Sequence, residues 1–424
     1  MKVESSRIAI IGLGYVGLPL AVAFSRHLPV YGFDINQSRV DELNNGKDRT
    51  AELDKDALLQ LKNVVLSSNL NDLSECNVWI VTVPTPVNRH NYPDLSALES
   101  ASKMLGGMIK AGDTVIYEST VYPGATEEVC IPLLEQHSGL KINQDFYCGY
   151  SPERINPGDK ENSLEKIVKV TSASCEKAAH YVDALYQLII KAGTHRAASI
   201  QVAEAAKAIE NTQRDVNIAL MNEFAMMFKH LNLDTEAVLS AAASKWNFLP
   251  FKPGLVGGHC IGVDPYYLIH KASEAGYYPA LITSSRRIND GMSHHVTSEL
   301  VRLMTQKKIS VVDSNVLIMG LAFKENCPDL RNTRVVEIIE ELNSYHANID
   351  VYDPWVDAEE AKNEYGLTLV NKLNKNHYDA ILIAVGHKQF KEMGAEKIRA
   401  LGKENNIIFD VKYLLPSDMV DGRL

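Results

Sequence analysis

The stretch that decides the fold is Arg7-Ile-Ala-Ile-Ile-Gly-Leu-Gly-Tyr-Val-Gly17, close to the start of the chain. A strand-like apolar run leads into Gly12-x-Gly14-x-x-Gly17, and a helix-compatible stretch from Leu18 to Ser25 follows. Glycines at this spacing allow a tight turn and let a pyrophosphate approach the backbone at a helix N-terminus. The motif therefore predicts a dinucleotide-binding unit.

The next apolar run ends at Asp34, which lies 22 residues after Gly12. An acid about 20 residues beyond the first glycine can hold a ribose hydroxyl, and this favours NAD over NADP. Arg39 lies near enough in sequence to accept a 2′-phosphate, but the Asp34 carboxylate would repel that phosphate. The predicted cofactor is NAD.

Strand-like runs then alternate with helix-like segments, a pattern typical of a doubly wound parallel sheet. The strand-like runs begin at Val64, Asn77, Asp113 and Ile167, and the helix-like segments are Asp54 to Lys62, Leu95 to Met108 and Thr126 to His137. Ligands bind at the carboxyl ends of such strands. Three segments are suited to that place: Pro84-Thr-Pro86, Ser119 to Gly124, and Ser151 to Gly158. Ordinary turn chemistry explains Pro84 to Pro86 equally well.

A long helix is predicted from Ile200 to Leu231, where the sequence has neither glycine nor proline. Its second half is too apolar for a solvated rod, so we expect a central connecting helix with part of its surface in a subunit interface. In its first half, the spacing puts Lys207, Asn211 and Arg214 on one face. These three residues either form a solvent-facing polar stripe or direct polar groups into a buried site.

The stretch Gly254-Leu-Val-Gly-Gly-His-Cys-Ile-Gly-Val-Asp264 surrounds a single thiol, Cys260, with glycines. Four glycines in so short a stretch indicate a tight turn or a ligand lying against the backbone. An incidental cysteine in a glycine-rich surface loop is the alternative, since most free cysteines act as small buried hydrophobes.

Helices are predicted from Pro265 to Gly276 and from Ile282 to Lys307, and a second α/β unit begins at Val316. Its strand-like runs (Val316, Ile349, Ala380 and Ile407 onward) again indicate a parallel sheet, but without the glycine fingerprint. It is a plausible site for a different nucleotide-like ligand, with Lys324 and Arg331 as anion partners. Both are otherwise surface charges in a loop.

Composition sets the outer limits. The chain has 424 residues, which predicts two or three domains. A net charge of −10 argues against nucleic acid as a partner. No apolar run reaches membrane-spanning length, and Met1-Lys-Val-Glu leads into a predicted strand rather than a signal peptide. Six scattered cysteines without a CxxC pair suit the reducing cytoplasm and predict no metal site.

The residues resemble the UDP-sugar 6-dehydrogenases over nearly the whole chain. The motifs that carry the resemblance are Gly12 to Gly17, Ser119-Thr-Val, Ser151-Pro-Glu-Arg, Glu204 to Thr212, Gly257 to Asp264 and Gly320-Leu-Ala-Phe-Lys324. The resemblance implies an α/β fold with two Rossmann-like doubly wound parallel-sheet domains joined by a long central helix and a helical dimerisation region. We expect an NAD domain at 1–198, a central domain at 199–312 and a UDP-sugar domain at 313–424. A homodimer or a higher homo-oligomer is expected.

The resemblance also implies the site residues. The catalytic residues would be Cys260 as nucleophile with Lys207, Asn211, Glu153, Thr120 and Asp264. Those that bind the cofactor would be Gly12, Gly14, Tyr15, Val16, Gly17, Asp34, Arg39, Thr85, Thr120 and Arg331. Those that bind the substrate would be Glu153, Arg154, Lys207, Asn211, Gly257, Cys260, Phe323 and Lys324.

One departure from the family pattern bears on the substrate. UDP-glucose dehydrogenases usually carry a second acid four residues after the position of Glu153, and here that residue is Pro157. The loop from Pro152 to Gly158 looks like that of the branch acting on UDP-N-acetylhexosamines. Within this branch, the Cys260 stretch looks closest to members that oxidise UDP-GlcNAc or UDP-GalNAc for bacterial capsule or O-antigen synthesis. UDP-glucose and UDP-ManNAc are the alternatives. Arg154 adds a donor that could meet an acetamido carbonyl.

The chemistry can be argued from the residues as well. Oxidation of a primary alcohol to a carboxylate needs two hydride transfers, and an aldehyde loses its hydride poorly unless a nucleophile adds first. A Cys260 thiolate would form a thiohemiacetal and then a thioester. Lys207 and Asn211 would stabilise the oxyanions, and the lysine would favour the thiolate. Glu153 is the predicted base for water, positioned with Thr120 and Asp264. His259 is not the predicted base, because neighbouring side chains in extended backbone point in opposite directions.

Two other interpretations stay open. A one-step NAD dehydrogenase of the hydroxyacid type would need neither the second α/β unit nor the cysteine between glycines. A catalytically silent nucleotide-binding or redox-sensing protein would tolerate the loss of Cys260, Lys207 or Glu153. The number of NAD molecules consumed per sugar separates the three interpretations: two, one or none.

Overall fold

The computed structural model describes residues 2–50, 52–53, 55–154 and 164–424. It divides into two compact units, one comprising Met1–Glu210 with Tyr266–Tyr278 and the other Asn211–Pro265 with Pro279–Leu424. Each unit carries its own sheet and its own apolar core.

The first unit is built on a sheet with the strand order β3-β2-β1-β4-β5-β6-β7-β8. The strands are β1 Ile8–Ile11, β2 Val30–Phe33, β3 Val64–Ser67, β4 Val78–Val81, β5 Thr114–Tyr117, β6 Tyr147–Tyr150, β7 Lys169–Ala173 and β8 Thr194–Arg196. From β3 to β6 all neighbours are parallel, in the order expected for a dinucleotide-binding sheet. The pair β6–β7 is antiparallel, so the sheet is not parallel throughout.

Helices cover the faces of this sheet. They are α1 Gly17–Ser25, α2 Gln37–Asn44, α3 Lys55–Gln60, α4 Ser96–Gly106, α5 Ile131–Ser138 and α6 Glu176–Gln187. Short 3-10 turns of this unit lie at Val3–Ser5, Leu61–Asn63, Leu70–Leu73 and Leu164–Lys166, and a π-helical turn at Thr126–Cys130 precedes α5; a further 3-10 turn, Ser417–Met419, belongs to the second unit. β1 is buried at every residue, which explains why its sequence is uniformly apolar rather than alternating.

The long helix α7 runs from Ile200 to His230, and the boundary between the two units falls within it, after Glu210. The helices that follow are α8 Thr235–Ala243, α9 Asp264–Glu274, α10 Ala280–Asp290, α11 Met292–Gln306, α12 Val335–Ser344, α13 Ala358–Tyr365 and α14 Lys388–Arg399. The single helix predicted from Ile282 to Lys307 is therefore wrong. It is two helices, and the break falls at Gly291, because glycine has a weak helix propensity.

The second unit is built on a parallel sheet with the strand order β10-β9-β11-β12-β13. Its strands are β9 Asn315–Met319, β10 Asn348–Tyr352, β11 Tyr378–Ile383, β12 Gly402–Asp410 and β13 Gly422–Arg423. This sheet and the first confirm the predicted fold class of two parallel α/β domains with a long central helix. No helix within the described part of the chain is long and apolar enough to cross a membrane.

Candidate active site

The glycine motif forms the turn between β1 and α1. Gly12 has a φ of +96°, which disfavours other residues, and a Cβ on Gly17 would lie 1.9 Å from the Gly12 carbonyl oxygen. The Thr82 hydroxyl donates to the carbonyls of Ile11 and Gly12, at 3.0 and 2.8 Å. A Cβ on Gly14 would meet nothing within 4 Å, so the backbone there is open to a ligand. This cradle fits a pyrophosphate at the helix N-terminus.

Asp34 and Arg39 hold this turn from the protein side. The Asp34 carboxylate accepts hydrogen bonds from the amides of Leu13 (3.0 Å) and Asn36 (2.9 Å). It follows β2 directly, where a ribose-binding acid belongs. Arg39 is buried, and it donates to the Leu13 carbonyl, to Glu42 and to Asp48. Arg39 therefore braces the turn from inside, and this placement gives no support to a contact between its guanidinium and a phosphate.

The strand ends beside this turn are tied together by hydroxyl groups. The Thr85 hydroxyl donates to the Thr120 carbonyl at 2.6 Å, and the Ser119 hydroxyl donates to Val83 at 2.6 Å. The Tyr267 hydroxyl donates to the Thr85 carbonyl at 2.7 Å. Thr85 and Thr120 thus lie together at the carboxyl ends of β4 and β5. Tyr15 and Val16 are half-buried in the turn itself.

Glu204 of α7 fixes the loop that follows Thr120. Its fully buried carboxylate accepts hydrogen bonds from the amides of Gly124 (2.5 Å) and Thr126 (2.9 Å). Burial raises the pKa of Glu204 to about 7, against the lowering effect of these bonds. The family motif beginning at Glu204 therefore starts with a residue that shapes the site loop.

Glu153 lies in the loop after β6, beside a buried lysine that the sequence analysis missed. Lys169 places its Nζ 3.4 Å from a Glu153 carboxylate oxygen and 2.6 Å from a Glu118 carboxylate oxygen. The signal was present in the sequence, because Lys169 interrupts an apolar strand and Glu118 ends another. Charged residues at such places are rarely buried unless they are paired.

Arg154 is held by protein acceptors. Its guanidinium pairs with Glu210 at 2.6 Å and donates to the Val168 carbonyl at 3.1 Å. These contacts argue against the acetamido contact expected of Arg154. Pro157 and Gly158, which motivated the substrate prediction, lie outside the described residues.

Two of the three polar residues predicted to share one face of α7 are buried. Lys207 is 8% exposed and Asn211 is 5% exposed, so the solvent-facing stripe is excluded for both. Arg214 is exposed, and the prediction that it shares their environment is wrong. The buried face of α7 continues past Asn211 through Asp215 and Asn222 instead. The Asn211 amide donates to the Asp264 carboxylate at 2.6 Å. Lys207 belongs to the first unit, and Asn211, Cys260 and Asp264 to the second.

Cys260 lies in a turn in which two positions, Gly257 and Gly258, leave no room for a Cβ. A Cβ on Gly257 would lie 2.7 Å from the Asn332 carbonyl oxygen, and one on Gly258 (φ +81°) would lie 2.8 Å from the Phe323 ring. The Cys260 carbonyl accepts hydrogen bonds from Val263 (3.0 Å) and Asp264 (2.9 Å), which closes the turn into α9. The Cys260 thiol is partly exposed. The glycines are thus structural requirements of the turn that presents this thiol.

His259 precedes Cys260 in the same turn, so the extended backbone assumed for it is wrong. Its ring lies edge-on to Phe323, with Nε2 3.4 Å from Arg331 and Nδ1 3.8 Å from Asp329. Arg331 forms an ion pair with the buried Asp329 at 2.6 Å. His259 and Arg331 therefore form one polar group with Asp329. Lys324 is half-buried next to Phe323.

A second set of residues that the sequence analysis missed anchors the start of the cysteine loop. Asn222 of α7 is buried and bonds both backbone groups of Gly254, donating to its carbonyl (3.1 Å) and accepting from its amide (2.8 Å). Asn289 donates to Asp215, and Arg286 forms a buried ion pair with Asp215. In the sequence, Asn222, Asn289, Asp215 and Arg286 cannot be told from the polar residues that cover the exposed surface of a helix.

The second unit repeats the strand-turn geometry of the first. Gly320 follows β9 with a φ of +98°, and Asp353 at the end of β10 accepts from the amides of Leu321 (2.6 Å) and Ala322 (2.9 Å). Burial alone would raise the pKa of Asp353, but His387 at 3.0 Å and these amides outweigh it, so the pKa is lowered. Gly320 and Asp353 correspond in role to Gly12 and Asp34, although the glycine fingerprint is absent.

Among the described residues, no group of three or more His, Cys, Asp or Glu side chains is arranged to hold a metal ion. The first unit holds a dinucleotide turn together with buried carboxylate and ammonium groups, and the second holds a thiol in a glycine-lined turn near a buried amide and carboxylate. A dinucleotide turn suits hydride transfer, and a partly exposed thiol suits nucleophilic addition.

Comparison with known proteins identifies the family. Residues 6–190, 201–291 and 317–417 match the NAD binding, central and UDP binding domains of the UDP-glucose/GDP-mannose dehydrogenase family. The chain is 58% identical over 418 residues to a UDP-N-acetyl-D-glucosamine 6-dehydrogenase of Pseudomonas aeruginosa, covering 99% of each chain. It is 55% identical over 422 residues to the protein of that name from Salmonella typhi, covering 100% of this chain and 99% of the other.

A solved structure resembles the whole chain too. The UDP-D-ManNAc dehydrogenase of Pyrococcus horikoshii superposes with a TM-score of 0.89 at 32% identity, covering 98% of each chain. The chain therefore belongs to the UDP-glucose/GDP-mannose dehydrogenase family and is an NAD-dependent UDP-sugar dehydrogenase.

Proposed function

We propose that this protein oxidises the 6-hydroxymethyl group of a UDP-N-acetylhexosamine, UDP-GlcNAc or UDP-GalNAc, to the 6-carboxylate. The observation that carries the proposal is the glycine-lined turn that presents Cys260 and closes on Asp264, which the Asn211 amide holds at 2.6 Å. The 58% and 55% identity to two UDP-N-acetyl-D-glucosamine 6-dehydrogenases supports the choice of sugar.

The turn at Gly12–Gly17 and Asp34 would hold NAD, which accepts a hydride when it is bound. The two oxidations leave different tasks to the protein. In the first, a base removes the proton of the 6-hydroxyl. In the second, the Cys260 thiolate adds to the aldehyde carbon, and the resulting oxyanion drives loss of the hydride to give a thioester.

Oxyanion stabilisation and water activation fall to the buried polar groups. Lys207 and Asn211 carry the N–H donors suited to a developing negative oxygen. Glu153 would take a proton from the water that cleaves the thioester and frees Cys260. Asp264 would keep the Asn211 amide oriented through their hydrogen bond. Thr120 lies at the end of β5, where its position suits a role in ordering that water.

The wider setting is part of the proposal. The family matches support a division into an NAD domain at 1–198, a central domain at 199–312 and a UDP-sugar domain at 313–424. The apolar side chains exposed along the second half of α7 support a homodimer. All six cysteines are free thiols, which supports the cytoplasm as the compartment. A uronic acid product would serve capsule or O-antigen synthesis.

The test is a panel of UDP-GlcNAc, UDP-GalNAc, UDP-ManNAc and UDP-glucose, with NADH and product mass measured for each. We expect two NADH per molecule of carboxylic acid formed, and a kcat/KM for an N-acetyl sugar roughly 100-fold above that for UDP-glucose. One NADH per product, or an aldehyde as the final product, would contradict the mechanism. A preference for UDP-glucose or UDP-ManNAc would overturn the choice of sugar.

A further inference from the structure

Three charged side chains meet below the loop that carries Glu153. Lys169, the first residue of β7, lies between Glu118 at the end of β5 and Glu153 after β6, with N–O distances of 2.6 and 3.4 Å. The Tyr186 hydroxyl of α6 donates to the second oxygen of Glu118, and its ring lies 5.4 Å from the Lys169 ammonium. These four side chains are the titratable groups that face one another from β5, β7, α6 and the Glu153 loop.

The solvent exposure of the charged side chains increases from Glu118 and Lys169 to Glu153. The side chains of Glu118 and Lys169 are 0% and 2% exposed, whereas that of Glu153 is 11% exposed. Tyr186 closes the buried side by bonding to Glu118. Glu153 is thus the most accessible of the three charged side chains, and Glu118 and Lys169 are more deeply buried.

The charges in the cluster do not cancel when all of them are ionised. One ammonium faces two carboxylates, and the shorter contact goes to Glu118. The ammonium lies closer to Glu118 than to Glu153, so Glu153 shares this lysine with a second carboxylate. In general an opposite charge favours an ionised carboxylate, and a second carboxylate beside the same cation weakens that effect.

We propose that Glu118 and Lys169 are positioning residues that orient Glu153 and set the pH range in which it acts as the base of the reaction. This inference rests on the proposed function, in which Glu153 activates water. Lys169 holds the carboxylate in place, and Glu118 prevents the lysine from neutralising Glu153.

The titration of the buried groups supports the geometry. Burial raises the pKa of Glu118 to about 7, against the lowering effect of Lys169. Burial alone would lower the pKa of Lys169, but Glu118 and Glu153 outweigh it, so the pKa is raised. The ammonium therefore persists through neutral pH, while the carboxylate cluster can take up one proton there.

Charge-changing variants separate this role from a merely structural ion pair. Lys169→Met leaves two carboxylates facing each other, so the acidic limb of the kcat/KM profile should move to higher pH by about 1 unit. Glu118→Gln leaves the lysine to Glu153 alone, so the same limb should move to lower pH while the plateau falls about tenfold. Glu118→Gln with Lys169→Met together should return the limb toward its wild-type position.

The assay uses the full-length protein with NAD and UDP-GlcNAc, and Tm is measured for each variant. Lys191→Met and Glu176→Gln, both at exposed positions, are the matched controls and should leave the profile unchanged. The proposal would be overturned if the acidic limb of the kcat/KM profile stays in place in Lys169→Met and Glu118→Gln. It would also be overturned if the limb moves in the same direction in both. Lys169→Arg keeps the positive charge, so the acidic limb should stay at its wild-type position. This variant keeps the proposal testable if Lys169→Met fails to fold.

Two further arms keep the proposed function separate. If the wild-type protein forms no carboxylic acid from any UDP-sugar, the proposed function fails. If Glu153→Gln retains the wild-type kcat, the role of Glu153 fails. The positioning proposal itself fails in a different case. In that case the wild type is active and Glu153→Gln lowers the rate, but the acidic limb of the kcat/KM profile stays in place when Glu118 or Lys169 is replaced.

Discussion

At the scale of the residue, Cys260 is the side chain on which the proposed chemistry depends. Replacing it by serine keeps the turn, since the turn is set by Gly257, Gly258 and the Cys260 carbonyl rather than by the thiol. Serine is a weaker nucleophile and forms an ester that hydrolyses poorly. We expect Cys260→Ser to lose at least about 1,000-fold in steady-state kcat while binding of NAD and of UDP-GlcNAc persists.

Calorimetric titration and steady-state NADH formation measure the two quantities. Cys175→Ser is the control, because Cys175 is a partly exposed thiol elsewhere in the chain. Wild-type turnover in Cys260→Ser would end the covalent mechanism, and loss of both ligands would indicate a misfolded variant.

Asp34 makes a second prediction at this scale. Its carboxylate is fixed by the amides of Leu13 and Asn36, so it cannot easily turn away from a 2′-phosphate. We expect NADP to give a kcat/KM at least about 100-fold below that of NAD. Asp34→Asn should narrow this ratio, because the amide removes the charge but keeps the acceptor for Leu13. Equal efficiency of NAD and NADP in the wild type would contradict the assignment.

At this scale the sequence pointed to candidate site residues but not to the side chains that hold them in place. Cys260, Glu153 and Lys207 stand in recognisable motifs. Their supports lie on other elements, as Lys169 and Asn222 do. A single lysine in an apolar strand or a single asparagine on a helix has no spacing to mark it, because its partner is distant in sequence.

At the scale of the element, the strands and helices that the sequence analysis named lie within a few residues of their predicted bounds, apart from the helix that breaks at Gly291. The helices α6 and α12 were not named, although each has buried apolar residues on one face. The strands β6, β8 and β13 were missed: Tyr147–Tyr150 contains a glycine, Thr194–Arg196 has only three residues, all polar, and Gly422–Arg423 has two. A Cβ on Gly149 would lie 3.0 Å from a Val182 methyl group, so packing against α6 leaves little room for a side chain there. The glycine that suits this packing weakens the strand signal of the segment.

The turn after β9 carries a prediction about stability. Asp353 accepts hydrogen bonds from the amides of Leu321 and Ala322 and faces His387 in a buried position. Replacing it by asparagine removes a charged acceptor, so we expect a loss of roughly 1.5–3 kcal/mol in the free energy of unfolding at pH 7.

The stabilisation by Asp353 depends on pH in a direction that follows from its pKa. The pKa of Asp353 is lowered in the folded protein, so its stabilisation is fully present above the unfolded value of about 4 and is lost as the pH falls through the folded value. Urea unfolding of the wild type and Asp353→Asn should therefore give curves that differ at pH 7 and converge at low pH. A difference that grows on acidification would contradict the argument.

At the scale of the whole molecule, the second half of α7 presents an apolar surface that this chain leaves uncovered. Leu220, Met227 and Leu231 are 43%, 43% and 57% exposed, and Phe224 and Phe228 stack at 5.6 Å between them. The spacing of Leu220, Phe224, Met227 and Phe228 puts these four on one face of α7, and Leu231 follows directly after its last residue. Trp246, further along the chain, is 92% exposed. Water contact of this kind is costly on a monomer, since fully burying one such side chain gains about 1.5–3 kcal/mol.

We therefore expect a homodimer in which this face of α7 is buried against a second copy of the chain. Light scattering after size exclusion should give twice the chain mass of 47.0 kDa. Met227→Glu places a charge on the apolar face and should yield the monomer mass, because an unpaired buried charge is expensive. Val312→Glu is the control, since Val312 is similarly exposed (52%) but lies in a loop outside α7. A wild-type mass of 47.0 kDa would refute the dimer, and a Met227→Glu variant that stays dimeric beside the control would move the interface away from α7.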